Sequence, residues 1–297
     1  MIKYIARYGA MRIIGLFTWN GEGTLFHGTK VIVHTSRGQE AATILCEASE
    51  AALKFIKAEM EEDRVLRLMT PNDEKELRQM KIVAKDEFIR CKRIVDNMKI
   101  VMDLVRVERI FGGERVIIYY VAEGRIDFRE LVKVLAAEFQ TRIEMKQIGV
   151  RDETKLLADI GDCGREVCCN SWLVSMPPVS MRMAKLQKAT LDPTKISGRC
   201  GRLKCCLRYE YDAYHEILKI LPAVGKMVLT PDGIGRVIAQ ELLAKKVQVE
   251  LLDHSRKMYG AEDIQPAPKN QIPPQRDFNE NADPENAGDP EQESELE

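Results

Sequence analysis

Residues 163–169 read Cys-Gly-Arg-Glu-Val-Cys-Cys, and residues 200–206 read Cys-Gly-Arg-Leu-Lys-Cys-Cys. The second heptapeptide lies 37 positions after the first at every matched residue, and the two copies contain six of the eight cysteines in the chain. Chance rarely places the same five residues twice in one order without a gap. We interpret the two segments as an internal duplication that builds one site or a symmetric pair of sites.

A glycine directly follows the first cysteine of each repeat, at Gly164 and Gly201. The first and second cysteines are five positions apart, which on a regular helix is a rotation of about 140°, so they would not share a face. Glycine permits a turn that brings Cys163 back toward Cys168 and Cys200 toward Cys205. We therefore expect a turn in each repeat.

Two arrangements of the thiols are consistent with this spacing. In the first, Cys169 and Cys206 are core residues and the other four make one four-thiolate site; its ligands are Cys163, Cys168, Cys200 and Cys205. In the second, each repeat supplies three thiolates to its own cluster and a partner protein supplies the fourth ligand. Four thiolates suit Zn²⁺ or a [4Fe–4S] cluster equally by count. Basic neighbours are expected to lower the thiol pKa values.

Composition predicts a cytosolic protein. The chain has 297 residues, of which 45% are hydrophobic, and it has no apolar run of about 18 residues that could span a membrane. The N-terminus lacks the apolar core of a signal peptide. Cysteine clusters in a reducing cytosol favour metal or redox chemistry over disulfides. Histidines are scattered, and neither a P-loop nor an HExxH motif occurs, so a hydrolase has little support.

Charge is distributed unevenly. Residues 271–297 carry nine acidic residues against one base, Arg276, and the preceding 270 residues have a net charge of +7. Residues 181–208 contain one acid, Asp192, and eight bases: Arg182, Lys185, Lys188, Lys195, Arg199, Arg202, Lys204 and Arg208. This basic block is a candidate surface for RNA or an acidic partner. A solvated face that supplies counter-charge to the thiolates explains it equally well.

The predicted fold class is α+β, beginning with a β-rich domain at residues 1–69. Strands are expected at Arg12–Trp19, Lys30–His34 and Arg64–Met69, with a helix at residues 47–62. This pattern favours a small antiparallel barrel or sheet.

Residues 70–149 are predicted to form a ferredoxin-like α/β sandwich. Thr70 as N-cap and Pro71 at the first helical position predict a helix that runs to about Met98. The later elements are expected to be strands Lys99–Ile110 and Arg115–Ala122, a helix capped by Asp127, and strand Arg142–Ile148. The order helix–strand–strand–helix–strand is typical of that fold.

The remaining chain is predicted to contain three regions. Residues 150–222 form the cysteine-rich segment, with short helices and loops. Residues 223–265 favour a small SH3-like β-barrel, with strands at Val224–Thr230, Gly235–Gln240 and Lys246–Leu252. Residues 266–297 are rich in Pro, Asn and Glu and are predicted to be a disordered acidic tail.

Motifs around the repeats resemble a known bacterial family, the YaaT/RicT-like family, also called the stage 0 sporulation protein family. The matching segments are Gly124–Leu131, Gln147–Glu153, both cysteine repeats, Met183–Lys185, Lys195–Gly198 and Cys205–Glu210. The resemblance is specific from about residue 99 to 214. It implies a cytosolic regulatory protein rather than an established enzyme.

The resemblance also implies cofactors and partners. Family members hold [4Fe–4S] clusters, join two small helical proteins and steer ribonuclease Y in mRNA processing, which makes the six repeat cysteines the ligand candidates. The expected function is therefore an iron–sulfur regulatory adaptor. The alternatives are a structural zinc module in an RNA- or DNA-binding protein and a thiol redox enzyme that uses the adjacent Cys168 and Cys169.

Overall fold

The computed structural model describes residues 2–56, 62–124, 126–157, 160–175 and 177–267. It divides the chain into two compact units. The first contains Met1–Met176 and Gly198–Arg202, and the second contains Pro177–Ser197 and Leu203–Glu297. The predicted α+β class is confirmed. No helix in the described ranges combines the length and apolar character needed to cross a membrane.

The first unit begins with a closed five-stranded barrel in the order β1-β2-β5-β3-β4. Its strands are β1 (Ile2–Tyr8), β2 (Ile13–Trp19), β3 (Lys30–Thr35), β4 (Gly38–Glu47) and β5 (Glu62–Leu68). Alternating side chains fill the interior, including Tyr4, Phe17, Val31 and Ile44. The predicted barrel is confirmed, but the expectation of a purely antiparallel one is wrong because β2 and β5 pair in parallel.

The helix predicted at residues 47–62 is only partly present. Helix α1 covers Glu50–Ile56, while residue 47 ends β4 and residue 62 begins β5. Residues 57–61 lie outside the described residues. The apolar periodicity did not reveal β4, because the charged Glu40 occupies a buried position while the apolar Ala41 and Leu45 are only half-buried.

Helix α2 (Pro71–Asn97) begins and ends close to the predicted positions. The Thr70 hydroxyl accepts a hydrogen bond from the Asp73 amide, and the Asp73 carboxylate accepts one from the Thr70 amide. This capping box satisfies two amides that the first helical turn leaves without partners. The predicted N-cap at Thr70 is confirmed.

A three-stranded sheet follows, in the order β6-β7-β8. Its elements are β6 (Asp103–Arg109), β7 (Arg115–Val121), helix α3 (Arg129–Phe139), β8 (Arg142–Gln147) and helix α4 (Val150–Leu157). β6 and β7 are antiparallel, whereas β7 and β8 are parallel neighbours. The four-stranded sheet of a ferredoxin-like sandwich is not confirmed among the described residues.

Side chains from both faces of β7 are buried, which explains its continuous apolar sequence. Val116 and Ile118 pack with residues of α2 and α3, and Ile117 and Tyr119 pack with Leu156 of α4. The expectation that Asp127 caps α3 is wrong. The N-cap of α3 is Phe128, and Asp127 accepts a hydrogen bond from the amide of Arg129, the first helical residue.

The described part of the second unit combines three α-helices with an antiparallel five-stranded sheet. The helices are α5 (Met181–Leu186), α6 (Pro193–Ile196) and α7 (Cys205–Ile220). The sheet has the order β12-β11-β10-β9-β13 and is formed by β9 (Met227–Thr230), β10 (Gly233–Glu241), β11 (Lys246–Leu251), β12 (Arg256–Gly260) and β13 (Gln265–Pro266). The three predicted strands are present. The closed SH3-like barrel itself is not confirmed.

Helix α7 packs its apolar face on this sheet. Tyr214, Ile217 and Leu218 contact the core of Val228, Val237 and neighbouring strand residues. The 16-residue helix is longer than the short helices expected there. Of the predicted disordered tail, residues 268–297 lie outside the described residues, and Gln265–Pro266 pair with β9.

Candidate functional site

The first cysteine repeat folds into a tight turn in the first unit. Ile160 and Glu166 form an antiparallel bridge. Within it, the Gly161 amide donates to the Arg165 carbonyl (2.9 Å), and the Gly164 amide donates to the Gly161 carbonyl (2.9 Å). Gly164 has a φ of +75°, a conformation that costs little only for glycine. The predicted turn after Cys163 is therefore confirmed.

The second repeat forms the same turn from residues displaced by 37 positions. Ser197 and Leu203 form the antiparallel bridge. The Gly198 amide donates to the Arg202 carbonyl (2.8 Å), and the Gly201 amide donates to the Gly198 carbonyl (2.9 Å). Gly201 has a φ of +72°. The duplication is thus one of backbone conformation as well as of sequence.

The adjacent cysteines of each repeat enter a helical turn. The Asn170 amide donates to the Val167 carbonyl (2.9 Å), and the Leu207 amide makes the matching bond to the Lys204 carbonyl (3.1 Å). In the second repeat this turn continues as α7, whose first residue is Cys205. Each repeat therefore places one cysteine in a glycine turn and two at the start of a helical turn.

Comparison of the two heptapeptides did not identify two further glycines that form the turns, Gly161 and Gly198. Gly161 and Gly198 precede the repeats at the same offset, and each both donates and accepts a hydrogen bond of its turn. The signal was present, since these glycines are also 37 positions apart. The repeat is better defined as residues 161–169 and 198–206.

The two turns of the first unit are joined by an arginine from the second repeat. Arg199 Nε donates a hydrogen bond to the Ile160 carbonyl (2.9 Å), which belongs to the bridge of the first turn. Arg202 lies beside Gly149, at the start of α4. Arg199 therefore connects the second turn to the backbone of the first.

The six repeat cysteines form no disulfide bonds within the described part of the chain. Cys163 is exposed, and the other five are half-buried. Cys163, Cys168, Cys169 and Cys200 belong to the first unit, and Cys205 and Cys206 belong to the second. Their donor chemistry fits a thiophilic metal or an iron–sulfur cluster. Across the described ranges, the side chains of Cys, His, Asp and Glu do not gather in threes in an arrangement that could hold a metal ion.

The expectation that basic neighbours lower the thiol pKa values is wrong for Cys206. Burial raises the pKa of Cys206, and the charges of Cys205 and Glu210 act in the same direction. Lys204 opposes them but has the smaller effect. Desolvation therefore outweighs the local positive charge at this cysteine.

The two cysteines outside the repeats differ from each other. Cys91 is fully buried in the core between α2, α3 and the sheet, and burial raises its pKa to about 12. An isolated cysteine on a helix is predicted from the sequence to be a packing residue, and the burial of Cys91 confirms this prediction. The same prediction applies to Cys46, which is isolated on a strand, and there it is wrong because Cys46 is exposed at the end of β4.

The basic block is not one continuous element. Arg182, Lys185, Lys188, Lys195, Arg199 and Arg202 are exposed, whereas Lys204 and Arg208 are half-buried. Arg199 and Arg202 belong to the first unit and the other six to the second. Lys188 donates to the Gln240 carbonyl, and Arg208 pairs with Asp212 at 3.0 Å. Several of these bases therefore have structural partners.

Comparison with known proteins identifies two family regions. Residues 63–148 match the PSP1 C-terminal conserved region, and residues 178–221 match the third domain of PSP1-like proteins. The first match covers β5 through β8, and the second covers α5, α6 and α7. No solved structure matches the chain.

A curated relative aligns over most of its length. The stage 0 sporulation protein YaaT of Bacillus subtilis (strain 168) is 42% identical over 230 residues, which is 77% of this chain and 83% of the relative. This identity extends through both units, and it agrees with the two PSP1 matches. The chain therefore belongs to the YaaT family of PSP1-domain proteins.

Proposed function

We propose that this protein is a cytosolic, non-enzymatic regulatory adaptor whose repeat cysteines hold a [4Fe–4S] cluster. It would act with small helical partner proteins on ribonuclease Y-dependent mRNA processing. Family membership supports a regulatory role of the sporulation-protein kind. The observation that carries the metal proposal is the conformational duplication: two glycine turns with the same hydrogen bonds, each displaying a cysteine ahead of a vicinal pair.

The residues of the repeats would have separate tasks. Cys163 and Cys200 would offer thiolates from the two turns, and Cys168 and Cys205 would offer them from the helical starts. A bound cluster would supply electron-transfer or oxidant-sensing chemistry. The chain would supply the ligands and hold their backbone in place, and metal loading would be coupled to the folding of these short segments.

Anaerobic purification followed by iron, sulfide and zinc analysis tests this proposal. We expect a brown protein with equal iron and sulfide, with iron near four per chain for one cluster or near eight for two. Serine substitutions at Cys163, Cys168, Cys200 and Cys205 are expected to remove most of the metal. If all four variants keep the wild-type metal content, these residues are not the ligands.

Two further comparisons sharpen the result. Cys46→Ser is the matched control, because Cys46 is an exposed cysteine outside the repeats, and it should keep full metal content. Cys169→Ser and Cys206→Ser separate the two arrangements. Full metal in both would favour one four-thiolate site, and loss in both would favour three ligands from each repeat.

A structural zinc module remains the second candidate, since thiolates accept Zn²⁺ as readily. A colourless protein with about one zinc per chain, together with salt-sensitive RNA binding by the isolated chain, would replace the cluster proposal with this one. A thiol redox enzyme predicts turnover with dithiol substrates. Absence of turnover in the metal-loaded protein is expected.

The regulatory part needs its own test. In a strain that carries an affinity-tagged chain, wild-type protein should co-purify with ribonuclease Y and with small helical proteins. Transcripts that need ribonuclease Y should accumulate unprocessed when the gene is deleted. Normal processing in the deletion strain would overturn the proposed regulatory role while leaving the metal result unaffected.

A further inference from the structure

The first unit contains a cavity of about 590 Å³ whose described lining includes one repeat cysteine, Cys169, at its edge with the first repeat. Its walls come from the outer face of the barrel, helix α1, strand β8, helix α4 and the segment after the first repeat. Most of the wall is apolar, with Ile5, Ile14 and Trp172 among its residues. This volume and lining are typical of sites for small organic molecules, which occupy cavities of roughly 300–1,000 Å³.

The strand alternation explains why the barrel has an apolar outer wall here. Tyr4 and Ala6 of β1 point into the barrel core, so Ile5 and Arg7 point outward into the cavity. Ile5 is nevertheless only 1% exposed, because other elements cover this face of the barrel. The cavity is therefore bounded by several elements of one compact unit, and it is partly open to solvent.

The charged side chains that line the cavity all have the same sign. Arg7, Arg12, Lys146 and Lys155 contribute to its wall, and the described lining residues include no Asp or Glu. Glu166 lies 3.3 Å from Arg12, and Asp152 acts electrostatically on Lys155. These two acids offset two of the four bases.

Arg7 and Lys146 are the remaining cations. Neither has an ion-pair partner within the described ranges of the chain, and both side chains are half-buried. A half-buried cation beside apolar walls is incompletely solvated, and an anion would compensate it more strongly there than at an open surface. The cavity thus combines an apolar body with uncompensated positive charge.

Arg12 connects the turn between β1 and β2 to the segment after the first repeat. Arg12 has a φ of +49°, which is unfavourable for a residue with a side chain. Its guanidinium donates to the Asn170 carbonyl at 2.6 Å, so the turn between β1 and β2 is tied to the segment after the first repeat. This connection fixes two walls of the cavity against each other and makes the site largely preformed.

We propose that this cavity is a binding site for a small organic anion with an apolar body, such as an aromatic or aliphatic carboxylate or sulfonate. Arg7 and Lys146 would bind the anionic group, and Trp172 with the outer barrel face would contact the apolar part. The inference goes beyond the proposed function and does not depend on it, because none of its steps requires a metal.

The probe for the test is 8-anilinonaphthalene-1-sulfonate, compared with its uncharged analogue N-phenyl-1-naphthylamine. Fluorescence titration of the full chain should give one site that prefers the sulfonate. The double variant Arg7→Gln/Lys146→Gln should weaken sulfonate binding about tenfold or more and leave the uncharged analogue unaffected. The charge-conserving double variant Arg7→Lys/Lys146→Arg should bind the sulfonate as tightly as the wild type. Lys92→Gln, on the exposed face of α2, is the matched control and should leave both affinities unchanged.

Location is tested by the thiol of Cys46, which lines the cavity and lies outside the repeats. Saturating sulfonate should slow alkylation of Cys46 by N-ethylmaleimide at least fivefold, measured by peptide mass spectrometry, and should leave exposed Cys163 unchanged. Equal binding of both probes, or no effect of the charge variants, would overturn the anion specificity. Binding without protection of Cys46 would overturn the site.

Discussion

At the scale of single residues, four polar groups that are buried or half-buried connect the barrel to the sheet within the first unit. The Glu108 carboxylate accepts hydrogen bonds from the Ala10 amide, from Arg37 (2.9 Å) and from the Tyr119 hydroxyl (2.7 Å). Arg37 also pairs with Glu40 at 3.0 Å. The Arg37 guanidinium therefore forms ion pairs with two carboxylates. Burial, together with the second carboxylate, raises the pKa of Glu40 to about 7 despite its pairing with Arg37.

This cluster predicts a pH dependence of stability. Between the usual carboxyl pKa of 4.5 and about 7, folded protein keeps a proton on Glu40 that the unfolded chain has lost. The free energy of unfolding should therefore fall as the pH rises through this range, by at most about 3 kcal/mol. Glu40→Gln should remove this part of the slope and raise stability at pH 8, as measured by urea unfolding from pH 5 to 8. A variant with an unchanged slope would show that Glu40 is ionised throughout.

At the scale of elements, the two glycine turns predict a matched set of substitutions. Gly164 and Gly201 have positive φ values, and an added Cβ would meet no described atom within 4 Å, so alanine would strain only the backbone, by about 1–2 kcal/mol each. If the turns position cysteine ligands, Gly164→Ala and Gly201→Ala should lower metal content while the protein stays folded.

Gly112→Ala is the control for these variants. Gly112 has a φ of +86° and an equally open Cβ position, but it lies in the turn between β6 and β7. It should suffer a similar backbone strain and keep full metal content. Equal metal loss in all three variants would mean that general destabilisation, rather than turn geometry, controls loading.

At the scale of the whole molecule, the charge asymmetry between residues 1–270 and the acidic tail predicts an effect on polyanion binding. Deletion of residues 271–297 leaves a chain with a net charge of +7. Because binding of polyanions depends on net and local positive charge, the truncated protein should bind a fluorescent poly(U) RNA more tightly at low salt, with a steeper dependence on salt concentration. Fluorescence anisotropy measures this. Identical affinities with and without the tail would contradict it.

Local signals in the sequence determined several features that the structure confirms. Thr70 and Pro71 marked the start of α2, because capping depends on residues within one turn. Gly164 and Gly201 marked the two turns for the same reason, since a positive φ is a property of one residue. The 37-residue repeat and the family membership could also be identified from the sequence, because both depend only on which residues occur at which positions.

Other features were decided by tertiary structure. The parallel pairing of β2 with β5, the adjacency of β7 and β8, and the late start of α3 depend on partners distant in the chain. So does the pKa of Cys206, where desolvation by packed neighbours outweighs Lys204. The cavity joins side chains from Arg7 to Trp172, which only folding brings together. The sequence by itself determined the conformations that depend on residues within one turn. Long-range packing decided the strand partners, the burial of side chains and the cavity, because these three features require contacts between distant segments of the chain.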